Sequence, residues 1–160
     1  MTSPRETTFT HPDFGYSLPL PTAWETRILD DQGATLVSTE AGAPAGLLRT
    51  TVVVTVDEHD PDATLDDWQF AVEQQLGEVL NDFLLLDVRP ARLGGADAIV
   101  RVVSYATPDR QPATLTQWAA QRGGFGYTLS CTVPSLAYHR AADWFDDLAA
   151  RLILPAQEAP

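Results

Sequence analysis

Three short turn signals constrain this chain more than anything else in it. They are the pair Gly94 and Gly95, the polar stretch 108–112 with a proline at each end, and the pair Gly123 and Gly124. Each separates runs rich in alternating or β-branched residues, at 84–88, 96–106, 114–122 and 127–133. Turns this short join antiparallel neighbours, because a parallel pair needs a crossover of about a dozen residues or more. The C-terminal half is therefore expected to form an antiparallel meander.

The N-terminal half adds further strands and a helix. Phe14, Tyr16 and Leu18 alternate with Gly15 and Ser17, the period of a half-buried strand, and Pro19 and Pro21 are expected to stop it. A second strand is expected over 24–28, then a turn at 30–33, a third strand over 34–38 and a loop over 42–46. The strongest strand signal is 48–56, where Val52, Val54 and Val56 share the face that should meet helices and Thr51, Val53 and Thr55 share the other. An acidic loop follows over 57–62, and Thr64 with Asp67 three residues on resembles a capping box. From there Leu65, Trp68, Val72, Leu76, Val79 and Phe83 form one helical stripe, expected to cover the sheet. A closing helix follows Pro134, with Ser135 as its expected cap and Tyr138, Ala142, Phe145, Leu148, Ala149 and Leu152 on its apolar side. The fold class predicted is α+β, an antiparallel sheet packed against two main helices.

Residues 1–8 read as a disordered arm and 155–160 as a polar tail, leaving 9–154 as one domain with no linker or repeat. Twenty-two acidic residues face ten basic ones, all arginine, for a formal charge of -12. Such a surface repels phosphates and anionic lipid heads, which points away from nucleic acid and membrane surfaces. The sequence contains no apolar run long enough for a membrane span, and its first ten residues are polar where a signal peptide would be apolar, so a cytoplasmic protein is expected. The single cysteine, Cys131, lies in an alternating apolar stretch and reads as an inert, buried side chain.

In order and spacing, these pieces resemble the PsbP-like superfamily, and within it the bacterial DcrB-related and LpqN-like domains. The matching pieces are the strand and Trp24 after Pro21, the strand over 51–56, Leu65 opening a helix that ends near Phe83, Gly95 before Ala98, and Tyr127 before the closing helix. The resemblance implies an antiparallel sheet with helices packed on it, used mainly for binding. Relatives in that superfamily include photosystem extrinsic subunits, a Ran-binding protein, mycobacterial lipoproteins and, more distantly, the Eag chaperones of type VI secretion effectors.

Candidate chemistry is sparse. His11, His59 and His139 are not spaced with Cys or carboxylates in a metal pattern, the acidic loop lacks the glycine and distal glutamate of an EF-hand, and no serine sits in a nucleophile elbow. The sequence points to no catalytic residue, no cofactor and no metal. It does suggest a surface: Thr51, Val53 and Thr55 are expected to align with Thr128, Ser130 and Thr132 on the sheet face away from the helices, as either a docking face or an ordinary solvated one. Trp118 joins that surface if Thr114, Thr116 and Trp118 face outward, and belongs to the core if they face inward. The leading expectation is a non-catalytic protein-binding, chaperone-like or adaptor-like module with a protein partner, a homodimer being compatible with it. Two further readings are a small-molecule or lipid carrier, with a cavity lined by Trp68, Phe83 and Tyr127 between helix and sheet, and a hydrolase with a site the sequence does not display.

Overall fold

The computed structural model describes residues 5–30, 33–42 and 44–156. Outside them lie residues 1–4 of the expected arm, Asp31 and Gln32 of the expected turn, Ala43 of the 42–46 loop, and residues 157–160 of the expected tail. The elements run β1 (Glu6–Thr10), β2 (Ser17–Pro21), β3 (Glu25–Ile28), β4 (Gly33–Thr39), β5 (Thr51–Glu58), α1 (Leu65–Val79), β6 (Asn81–Leu93), β7 (Ala96–Ala106), β8 (Pro112–Arg122), β9 (Phe125–Pro134), a short 3-10 turn (Ser135–Ala137) and α2 (Tyr138–Arg151). No helix among the described residues is long and apolar enough to cross a membrane.

Seven strands form one antiparallel sheet in the order β3-β4-β5-β9-β8-β7-β6. The expected meander is β6 to β9, and its two glycine pairs are the turns. Gly94 and Gly95 have φ of 57° and 85°, and Gly123 and Gly124 have φ of 62° and 81°, the left-handed pair a two-residue hairpin needs. α1 carries the chain from β5 to the far edge at β6, and the meander returns until β9 lies beside β5.

The core lies under α2. Val52, Val54 and Val56 of β5, Leu129, Cys131 and Val133 of β9, and Trp118 of β8 meet Phe145, Leu148, Ala149 and Leu152. Each large apolar side chain buried this way contributes about 1.5–3 kcal/mol before the cost of ordering it. Cys131 is fully buried there, and burial pushes its thiol up, with nearby Asp146 adding to the effect. α1 lies on the opposite face of the sheet, because it touches Arg101, whose neighbour Val100 points into the α2 core.

Three local expectations are corrected. Glu6–Thr10 form β1, paired with β2 from Glu6 opposite Pro21 to Thr10 opposite Ser17, so that residues 6–8 of the expected arm belong to a strand. Pro19 and Pro21 lie inside β2 instead of stopping a strand. A proline cannot donate to a ladder, and β2 has only β1 as a strand partner among the described residues. Ser135 does not cap α2, whose cap position is Ala137 with no side-chain bond; the Ser135 hydroxyl instead bonds that of Thr114 at 2.9 Å.

The stripe of α1 covers the sheet only partly. Leu65, Trp68, Val72 and Leu76 are half-buried, Val79 is exposed, Phe83 belongs to β6, and the helix's buried residue is Gln69. Beneath it the charged Arg101 stands among the buried apolar residues Val103, Leu115 and Ala119 of the same face, and it is Arg101 that the helix's buried position meets. Its expected cap is present, with the Asp67 N–H donating to Thr64 Oγ1 at 3.1 Å.

Candidate docking surface

The strand register joins the two expected rows of side chains. Thr51 lies opposite Thr132, Val53 opposite Ser130 and Thr55 opposite Thr128. All six are half-exposed, and β4 extends the same face with Val37 opposite Val53 and Thr39 opposite Thr51. The sequence reading placed both helices on the other face, and the structure corrects this: only α2 lies there. α1 sits on this one, over β6, β7 and β8, reaches β9 with Trp68 at Gly126, and leaves the rows of Thr51–Thr55 and Thr128–Thr132 half-exposed.

Trp118 is not part of this surface. It is 4% exposed, opposite Val100 and Leu129, on the α2 side. Thr114 and Thr116 are buried on that side with it. The outward alternative for this strand is thereby removed, and the aromatic anchor it offered belongs to the core.

A polar network joins the open face to α1. Gln117 donates from Nε2 to Ser130 Oγ at 3.1 Å, and Gln117 lies opposite Arg101. The Arg101 guanidinium is almost fully buried and donates to Gln69 Oε1 and to the Gln69 carbonyl, each at 3.0 Å, and to Glu73 Oε1 at 3.5 Å. Burial lowers the Arg101 pKa, and Glu73 opposes that effect. At the other end of the face, the Tyr105 hydroxyl is raised by burial and moderated by a hydrogen bond to Thr132.

The edge of the face toward the hairpin tips is built on a contact the sequence reading did not anticipate. The rings of His59 and Trp68 meet edge-on at 4.2 Å and 77°, directly over Gly126. A Cβ at position 126 would lie 2.3 Å from His59 and 2.7 Å from Trp68. A glycine inside a strand is the signal that finds such a site, since it marks close approach by another group. His59 Nδ1 also lies 3.0 Å from the Gln121 side-chain nitrogen. His59, Gln121, Arg122, Asp60 and Asp97 line a cleft of about 380 Å³ beside it.

The other two histidines sit apart. His11 is buried; its Nδ1 accepts from the Asp13 and Phe14 N–H groups, so its proton is on Nε2, which donates to the Leu29 carbonyl at 2.5 Å. His139 lies on α2. Among the described residues no three His, Cys, Asp or Glu side chains converge as metal ligands.

The three residues expected to line a carrier cavity do not meet. Trp68 stands over Gly126 on the α1 side, Phe83 abuts Gly77, and Tyr127 points into the α2 core against Tyr16, with the sheet between them. Tyr127 instead borders a separate cleft of about 620 Å³ with Phe14, Phe125, Arg122 and Pro155.

No protein-family model and no curated protein matches the sequence. Solved structures do match the fold. The chain is similar to cyanobacterial PsbP from Synechocystis, with a TM-score of 0.74 at 13% identity, covering 96% of this chain and 95% of that one. The fold is PsbP-like. It is also similar to LpqN, a protein involved in cell envelope biogenesis of Mycobacterium tuberculosis, with a TM-score of 0.69 at 18% identity over 94% of this chain and 91% of that one. The Ran-binding protein Mog1p of Saccharomyces cerevisiae matches with a TM-score of 0.64 at 12% identity over 95% and 96% of the two chains. These PsbP-like neighbours share an architecture with this chain, and at such identities the likeness is one of fold.

Proposed function

We propose that this protein is a non-catalytic binding module, chaperone-like or adaptor-like, that engages a protein partner through the open face of β5 and β9. The observation that carries the reading is the row Thr51, Val53, Thr55 against Thr128, Ser130, Thr132, left half-exposed. β-Branched and hydroxyl side chains on a flat face bury cheaply, because threonine offers a methyl for packing and a hydroxyl that keeps a hydrogen-bond partner. The PsbP-like fold supports the reading, since one neighbour of similar architecture is a Ran-binding protein. Kinship with DcrB-related domains and the Eag chaperones is the finer form of the same proposal. On that reading the partner is an apolar segment of another protein.

Affinity purification from the native host tests it with three baits: the parent, Val53→Arg with Ser130→Arg, and Leu136→Glu as a surface control. A protein captured by the parent and the control and lost with the arginine pair supports the proposal. Capture that survives the arginine pair, or no specific capture by the parent, overturns it.

A further inference from the structure

β6 is the outer strand of the seven-stranded sheet, and among the described residues β7 is its one strand partner. Leu84, Leu85, Leu86 and Val88 are exposed along it at 58%, 37%, 53% and 42%. Four exposed apolar side chains on a free edge are what natural sheets avoid unless something covers them. A second exposed group stands beside them. Phe70 is 65% exposed on α1, on the same helical line as Gly77 seven residues later, and the Gly77 position lies 3.8 Å from the Phe83 ring of β6. Phe70 therefore stands on the flank of α1 that borders β6.

The same strand carries devices that bar addition of an arbitrary strand. Its register shifts between Asn81 and Leu84 and again between Leu85 and Asp87, and Pro90 has no N–H to donate. What remains between the second shift and Pro90 is a short straight segment, Asp87 to Arg89, whose charges are self-complementary. Asp87 and Arg89 lie opposite Val102 and Val100, so both project on the same face two residues apart. They form an exposed ion pair with each other. Exposed pairs of this type are worth only about 0–1 kcal/mol and exchange partners at little cost.

We propose that this edge is covered by a second copy of the chain, its β6 antiparallel and centred on Val88. That register places Val88 against Val88 and Asp87 of each copy against Arg89 of the other, and the paired segment ends where the second shift and Pro90 begin. The two α1 helices then lie on one face of a continuous sheet with their Phe70 flanks facing one another. The contact is isologous, so it closes at two copies and cannot propagate into a fibre. It uses the α1 edge and leaves the open β5–β9 face free, so it stands or falls independently of the docking proposal.

Sedimentation of the full chain at physiological salt, where the Debye length of about 8 Å screens repulsion between two acidic chains, reads the oligomeric state. The parent is expected to be a dimer. Arg89→Asp sets carboxylates against one another at both ends of the register and is expected to weaken dimerisation at least about tenfold, while Asp87→Arg with Arg89→Asp restores it. Val88→Cys is expected to give a disulfide-linked dimer on mild oxidation. Directly opposite residues have Cα atoms about 4.5–5.5 Å apart, within disulfide range, and the native Cys131 is buried and does not compete. A parent that stays monomeric at about 100 μM, well above the affinity of ordinary specific dimers, overturns the proposal, as does a dimer that neither Arg89→Asp nor the cysteine registers.

Discussion

Arg101 holds both the side chain and the backbone of Gln69, donating to its Oε1 and to its carbonyl at 3.0 Å each. One guanidinium thus ties down the one buried residue of α1. Replacing Arg101 by Met strips two acceptors of their donor and leaves the Glu73 carboxylate facing an apolar neighbour. Removing one partner of a buried charge network costs about 3–5 kcal/mol, whereas replacing the network together by apolar groups is often neutral. Urea denaturation should therefore show Arg101→Met as strongly destabilised and the triple change with Gln69→Leu and Glu73→Met as closer to the parent. Hydrogen exchange in Arg101→Met should rise first across Leu65–Val79, because that helix loses its main anchor.

Gly126→Ala brings a methyl to 2.3 Å from the His59 ring. Overpacking of a close site costs about 1–3 kcal/mol. The cost should fall by about 1 kcal/mol or more in a His59→Ala background, where the nearest obstacle is gone and Trp68, at 2.7 Å, stays. A double-mutant cycle by chemical denaturation reads this coupling. Additive effects would mean that the ring and the glycine do not determine one another.

Tyr16 sits in the core with its hydroxyl 2.7 Å from Thr35 Oγ1, and Thr35 spends its own proton on the Val54 carbonyl at 3.1 Å. Tyr16 is therefore the donor, and burial pushes its hydroxyl up to about 12. The folded value lies above the unfolded value of about 10, so folding favours the protonated phenol. Its contribution is complete below pH of about 10 and is lost as pH rises through about 12, a difference of about 2–3 kcal/mol. Tyr16→Phe should lose about 1 kcal/mol at neutral pH and show a shallower alkaline decline. Stability measured by urea between pH 8 and about 12 checks the sign. A decline as steep in Tyr16→Phe as in the parent would assign it to Tyr105 and Tyr127, whose hydroxyls are also raised by burial.

The hairpins and the Thr51–Thr132 register were legible because paired glycines and strict alternation each have one inexpensive structural solution. The direction of Trp118 was not, since β8 is a central strand with α2 on one face and α1 on the other. Thr114, Thr116 and Trp118 are buried on one side, and Ala113, Leu115 and Ala119 on the other, so the pattern carries no polarity to read. β1 escaped notice because five mostly polar residues become a strand only when β2 is present to pair with them. The role of Arg101 was hidden inside an apolar run. Its partners lie on a helix distant in sequence, and only the fold brings them together.

Ser17 and Ile153 exchange two backbone hydrogen bonds, from Ser17 N–H to the Ile153 carbonyl at 2.9 Å and from Ile153 N–H to that of Ser17 at 2.8 Å. This clasp spans nearly the whole described chain, and closing so long a loop is entropically costly until the intervening structure holds its ends together. During synthesis the sheet has all its strands once β9 leaves the ribosome, yet Val52, Leu129 and Trp118 stay uncovered until α2, Leu152 and Leu154 follow. The domain is thereby obliged to finish folding after its last element is made, and for that interval its future core is the most adhesive surface it owns.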